Sequence, residues 1–119
     1  MDKEIRELLE KQINNELQAS YNYLGVSVYY QSKSLDYFSK LFYEQSLEEH
    51  EHAIKIKNYL IDRDQTIELM EIKPAKTNFE SLIEPIEFAL NSEKEVTKKI
   101  SYIDDTNLAF FLLNEKSNK

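Results

Sequence analysis

Apolar residues recur at helical spacing in three long stretches of the chain. From Ile5 to Tyr30, positions Ile5, Leu9, Gln12, Glu16, Ala19, Tyr23, Val26 and Tyr30 keep a 4-3-4-3 rhythm, the inward stripe of a packed helix. Beside it, Ile13, Leu17, Tyr21, Leu24 and Val28 form a second apolar stripe. It reads either as part of one wide bundle-facing surface or as a separate face for a partner subunit. "QSKSLD" then breaks the pattern, with Ser34 a candidate N-cap and Asp36 in a first turn, where the helix dipole favours a carboxylate. The second stripe of this kind is Phe38, Phe42, Gln45, Glu49, His52, Ile56 and Tyr59. The short link between these two helices predicts an antiparallel hairpin.

From Asp64 to Thr77, "DQTIELMEIKPAKT" loses the helical rhythm. At about 3.3 Å per residue, this extended segment reaches roughly 45 Å. The second helix, at about 1.5 Å per residue, is roughly 40 Å long. The crossover can therefore run the length of the bundle and set a third helix parallel to the second. Thr77-x-x-Glu80 and Ser81-x-x-Glu84 both fit a capping box, and Pro85 favours the later start. Leu82, Ile86, Ala89, Glu93, Val96, Ile100 and Ile103 then repeat the stripe. After "DDTN" interrupts it, "LAFFLLNEKSNK" has room only for a short helix. The predicted architecture is an all-α bundle of three long helices, in a single domain spanning residues 1–119.

Each stripe is apolar except near its middle, where a carboxylate stands: Glu16, Glu49 and Glu93. His52 lies one turn after Glu49 on the same face. A buried carboxylate without a partner costs several kcal/mol, and three in one core would raise one another's pKa values. A bound cation removes the conflict. Glu-x-x-His on one helix, facing glutamates from its neighbours, is the carboxylate-bridged metal arrangement of bundle cores. Oxygen donors with one imidazole suit iron or manganese, with zinc able to intrude. Taken singly, Glu-x-x-His reads as a solvated pair and a lone glutamate as rim-exposed; their coincidence on three stripes carries the reading. Glu48, His50 and Glu51 lie off the stripe and read as solvated charge, with Glu48 a candidate outer ligand. Tyr23, two turns beyond Glu16, reads as a core tyrosine whose hydroxyl could bond a ligand or pass an electron. Gln12 and Gln45 read as hydrogen-bonding support or as bundle-end residues.

Composition narrows the function classes. One Gly and two Pro among 119 residues suit a nearly all-helical chain. The formal net charge of −7 disfavours electrostatic nucleic-acid binding and suits attraction of cations. With no Cys there is neither a disulfide nor a thiolate metal site. "MDKEIRELLEKQ" alternates charges, so no signal peptide or membrane span is expected, and the chain reads as cytoplasmic.

"LLEKQINNELQASYNYL", "EQSLEEHEHAIKI" and "ALNSEKEVTKKI", at these separations, resemble the first three helices of bacterial non-haem ferritins. "IELMEIKPAKTNFESL" resembles the crossover of that family, and the likeness covers roughly residues 4–103. By this resemblance, Glu16 corresponds to the first-helix iron ligand and Glu49 to the glutamate bridging two irons. His52 corresponds to the histidine ligand, Glu93 to the third-helix ligand of the second iron, and Tyr23 to the tyrosine beside that di-iron centre. The implied function is oxidation of Fe(II) by O2 or peroxide, and storage of Fe(III) mineral in a homo-oligomeric shell. The resemblance also implies a long fourth helix, of which "FFLLNEKSNK" matches only the beginning. Glu115 stands near the family's fourth-helix carboxylate, with Lys116 following where Gln or Glu is common. Second-site ligands and the shell geometry are then in question, and a neighbouring chain is expected to cover the exposed inner stripe. A slower or inactive iron-binding assembly protein is the alternative. A DNA-protecting miniature ferritin fits poorly with the negative charge and the within-subunit ligand pattern.

Overall fold

A computed structural model describes residues 1–89 of the chain. Helix α1 spans Lys3–Ser32 and helix α2 spans Asp36–Ile61, paired as the expected antiparallel hairpin. Asp2 starts α1 by accepting from the backbone N–H of Glu4 (2.8 Å) and Ile5 (3.2 Å). Along α1, Leu9, Gln12, Glu16, Ala19, Tyr23, Val26 and Tyr30 are all buried, as their spacing predicts. The second stripe divides. Ile13 is buried in the core, whereas Tyr21, Leu24 and Val28 are exposed.

Ser34 is not an N-cap. It holds φ 59° in the turn that closes α1, where Ser34 N–H donates to Gln31 O (3.0 Å) and Leu35 N–H to Tyr30 O (2.9 Å). That is the Schellman closure, and it places Ser34 at its left-handed residue. Its side chain makes no cap to α2, whose N-cap is Leu35. Asp36 does lie in the first turn of α2. Asp64 (φ 58°) closes α2 in the same way, with Asp64 N–H to Ile61 O and Gln65 N–H to Leu60 O, both 3.0 Å.

The face of α2 against α1 is rotated about one residue from the expected stripe. Ser39, Phe42, Ser46, Glu49, Ala53, Ile56 and Leu60 are buried, whereas Phe38 is exposed and His52 half-buried. Small residues explain the rotation. Ser20 and Ser46 each donate to the other's carbonyl (2.8 and 2.7 Å). Ser27 and Ser39 do the same (2.8 and 3.0 Å). Hydroxyls short enough to reach across draw the two backbones together, so the serines occupy the line of closest approach and the larger side chains flank it.

The crossover is extended and lies along α1 in the same direction. Arg6, Glu10, Asn14 and Gln18, four residues apart on α1, bond its main chain at Thr66, Glu68, Met70 and Lys73. These side chains do for the loop what a neighbouring strand would do, satisfying its backbone groups. Farther along, the Lys76 carbonyl sits where a Cβ on Gly25 would be, so the only glycine marks a close approach. Phe79 is then buried edge-on to Tyr29 (5.1 Å between ring centres), and Tyr30 Oη donates to Leu82 O (2.6 Å).

Helix resumes over residues 84–89. The later of the two candidate starts is the one used, with half of its capping box: Glu84 N–H donates to Ser81 Oγ (3.3 Å), whereas the Glu84 carboxylate accepts from Glu80 N–H (2.7 Å). Pro85 falls in the first turn, where it is tolerated. This start lies at the end of the hairpin where α2 also starts, as a parallel third helix requires. Glu93, Val96, Ile100, Ile103 and Glu115, with the short or incomplete fourth helix, lie outside the described residues. The described residues contain helices and no strand, and the fold is all-α.

Candidate metal centre

Two apolar clusters hold the hairpin together. One joins Leu9, Ile13, Ala53, Ile56 and Leu60. The other joins Ala19, Tyr23, Val26, Tyr29, Tyr30 and Phe42 to Phe79 and Ala89. Between them in register lies a polar belt: Gln12 and Glu16 from α1, and Gln45, Glu49 and His52 from α2. Glu16 is 3% and Glu49 7% exposed, so these carboxylates are core residues.

The structure brings Glu16, Glu49 and His52 together, with one donor atom from each lying within 4.8 Å of the others. His52 Nδ1 is 3.7 Å from Glu16 Oε2 and 3.5 Å from Glu49 Oε2. Donors around one first-row divalent ion at about 2.1 Å stand roughly 3.0–4.2 Å apart. The set fits such an ion. The other carboxylate oxygens are already engaged: Gln12 Nε2 donates to Glu16 Oε1, and Gln45 Nε2 to Glu49 Oε1, both at 2.8 Å. Glu16 Oε2 is buried with no hydrogen-bond partner among the described residues. A buried carboxylate oxygen without a hydrogen bond, facing an imidazole and a second carboxylate, is chemically suited to a cation.

The protonation pattern follows from this crowding. Burial pushes Glu16 up to about 7, against the pull of His52, with the neighbouring Glu49 adding to the rise. Burial acts on Glu49 in the same sense, but contacts with His52, Glu16 and Gln45 outweigh it and bring that group down to about 2. Glu16 and Glu49 together raise His52 to about 10. Without an ion, the cluster holds protons in place of the positive charge it lacks.

Tyr23 is buried beyond Glu16, its ring stacked on Phe42 at 6.0 Å between centres. Glu48, His50 and Glu51 are exposed and outside the cluster. Glu93, the third-helix candidate, lies outside the described residues. Sequence reasoning passed over the serine seam and the α1 stripe that carries the crossover. Each had a signal: Ser20 and Ser27, like Ser39 and Ser46, lie seven residues apart, and Arg6, Glu10, Asn14 and Gln18 lie four apart.

In sequence the chain is similar to known ferritins. The chain is 36% identical over 101 residues to ferritin BfrB of Mycolicibacterium smegmatis, covering 85% of this chain and 56% of that protein. It is 36% identical over 101 residues to the bacterial non-heme ferritin of Campylobacter jejuni, covering 85% and 60%. With the bacterial non-heme ferritin of Staphylococcus aureus it shares 32% over 99 residues, covering 83% and 60%. The chain thus spans little more than half the length of these curated relatives. The ferritin-like domain family matches residues 6–105, and the chain belongs to that family.

Proposed function

We propose that this chain binds Fe(II) through Glu16, Glu49 and His52, oxidises it, and contributes to iron storage. The observation that carries the proposal is the bare, buried Oε2 of Glu16, facing His52 and Glu49 between two apolar clusters. In this reading Glu49 bridges to a second iron completed by Glu93, giving a di-iron centre. Two Fe(II) each give up one electron, and O2 takes both with two protons to leave H2O2; with peroxide as oxidant, the same pair of electrons and two protons give two waters. Carboxylates favour Fe(III) over Fe(II), because hard anionic oxygens stabilise the higher charge. Tyr23 would assist from the far side of Glu16, through its hydroxyl or as an electron relay.

Iron is the substrate here and the mineral its product, held by a homo-oligomer in the cytoplasm. The exposed Tyr21, Leu24 and Val28 on α1 support self-association. No helix among the described residues is long and apolar enough to cross a membrane. The test is to add Fe(II) anaerobically, admit air, and follow Fe(III) absorbance in the native chain and in Tyr23→Phe. Absorbance growing no faster than in protein-free buffer would leave an iron-binding assembly protein without turnover. Light scattering that reported about 14.2 kDa at micromolar concentration would defeat the oligomer.

A further inference from the structure

We infer that Gln12 and Gln45 are positioning residues that let Glu16 and Glu49 each offer only one oxygen to the ion beside His52, and thereby select small first-row divalent ions over calcium. The inference rests on the metal-site reading above and extends it to residues that touch no metal.

Both helices carry the same device. A glutamine one turn before the glutamate donates its Nε2–H to Oε1 at 2.8 Å, once on α1 and once on α2. A carboxylate that holds a metal is ionised and has no proton to give, so in the loaded site the amide must present its nitrogen, as it does here. Each carboxylate is thereby turned about its long axis until Oε2 is the free atom, and both free atoms flank His52 Nδ1 (3.7 and 3.5 Å). The alternative, with both oxygens turned toward one ion, would break the amide bond.

Gln12 indicates that this arrangement is not a by-product of packing. It is 1% exposed on a stripe that is apolar apart from it and Glu16, and its Oε1 has no partner among the described residues. An apolar side chain would fill that place without stranding an acceptor. What the glutamine adds is the N–H held against Glu16. A hydrogen-bond donor on one ligand oxygen also orients the group and tunes its basicity.

The selectivity follows from coordination preference. Calcium takes 6–8 oxygens at about 2.3–2.6 Å and makes use of bidentate carboxylates. Two one-oxygen glutamates and an imidazole give it few donors of the right kind. Iron, cobalt and zinc accept nitrogen and work at about 2.0–2.2 Å.

The test uses the full chain with Gln12→Met and Gln45→Met together, substitutions that keep side-chain length and remove the donors. Zn(II) and Ca(II) binding are measured by calorimetry, and the carboxylate stretches of the Zn(II)-loaded protein by infrared difference spectroscopy. We expect native helicity, Zn(II) affinity weakened about 10–100-fold, and a narrower separation of antisymmetric and symmetric stretches as one carboxylate turns to chelate. The preference for Zn(II) over Ca(II) should shrink by the same factor. Native Zn(II) affinity or an unchanged stretch separation would overturn the inference. Should the double variant lose helicity, the single Gln45→Met, at a half-buried position, carries the same test for Glu49. Glu49→Ala is run in parallel: if it binds Zn(II) as the native chain does, the site itself is wrong and the positioning role falls with it. If only the glutamine variants behave as native, the site stands and the positioning role fails.

Discussion

Metal binding at this site should expel far more protons than three ordinary side chains would release. At pH 7, His52 (about 10) carries a full proton, Glu16 (about 7) carries half of one, and Glu49 (about 2) carries none. A ligand must be deprotonated to bind, so an ion entering at pH 7 displaces about 1.5 protons. With the unperturbed values of 6.5 for His and 4.5 for Glu, the same three groups would release only roughly 0.25. Apparent affinity should therefore rise about 30-fold per pH unit near neutrality, with the slope easing as Glu16 empties.

The linkage sign for the metal-free fold is definite. Glu16 and His52 both have folded values above their unfolded ones, so the native state binds more protons and stability falls as pH rises through each window. For Glu16 that window runs from 4.5 to about 7 and is worth about 3 kcal/mol at most. For His52 it runs from 6.5 to about 10, weakened by solvent because its side chain is 41% exposed. Glu49 acts oppositely and is lost only as pH falls from 4.5 toward about 2. The metal-free chain should thus be more stable at pH 5 than at pH 9, and a divalent ion should reverse the order. Zn(II) calorimetry at pH 7 in buffers of differing ionisation enthalpy gives the proton count directly. Release below about 0.5 proton, or an affinity flat between pH 6 and pH 8, would refute the coupled cluster.

Three further outcomes follow from particular residues. Glu49→Ala should abolish divalent-ion binding while keeping native helicity, because it removes a ligand and a buried charge at once; unchanged Zn(II) stoichiometry in calorimetry would count against it. Ser34→Gly should stabilise the chain by about 0.5–1 kcal/mol, since glycine takes the left-handed turn without the Cβ penalty and gives part of that gain back in the unfolded state; a urea midpoint that fails to rise would contradict it. Gly25→Ala should push the Lys76 carbonyl off α1 and speed proteolysis within residues 64–80; cleavage no faster than in the native chain would show that the crossover does not depend on that contact.

The α1 stripe was legible because one face of a long helix meets a continuous core, and there periodicity and burial coincide. On α2 the buried face lies one residue from the stripe of large apolar side chains, because Ser39 and Ser46 bring two backbones close rather than bury area. Ser34 belongs to the end of α1 and not to the start of α2. A serine between two helices can cap the second or close the first, and hydrogen bonds to Tyr30 and Gln31 settle it for the first. In the carboxylate–histidine cluster, Glu16, Glu49 and His52 could be placed together because an interruption in an apolar stripe is itself a signal. Which oxygen each carboxylate would offer was not legible, since that depends on the two glutamine rotamers.

The placement of the belt explains how so small a fold tolerates such a cluster. Glu16 and Glu49, in contact with each other and with His52, are wedged between one apolar cluster that closes the end where α1 starts and another that closes the aromatic end. The serine seam holds the helices at a fixed separation beside them, through four hydroxyl-to-carbonyl bonds that do not titrate near neutral pH. Protonation or metal loading can then change the charge at the centre without changing the distance between the helices that carry it. A pair of helices joined only by leucines and valines could slide to relieve two crowded carboxylates. Here the seam resists sliding, so the electrostatic conflict persists until a proton or a cation relieves it, as the proposed binding of iron requires.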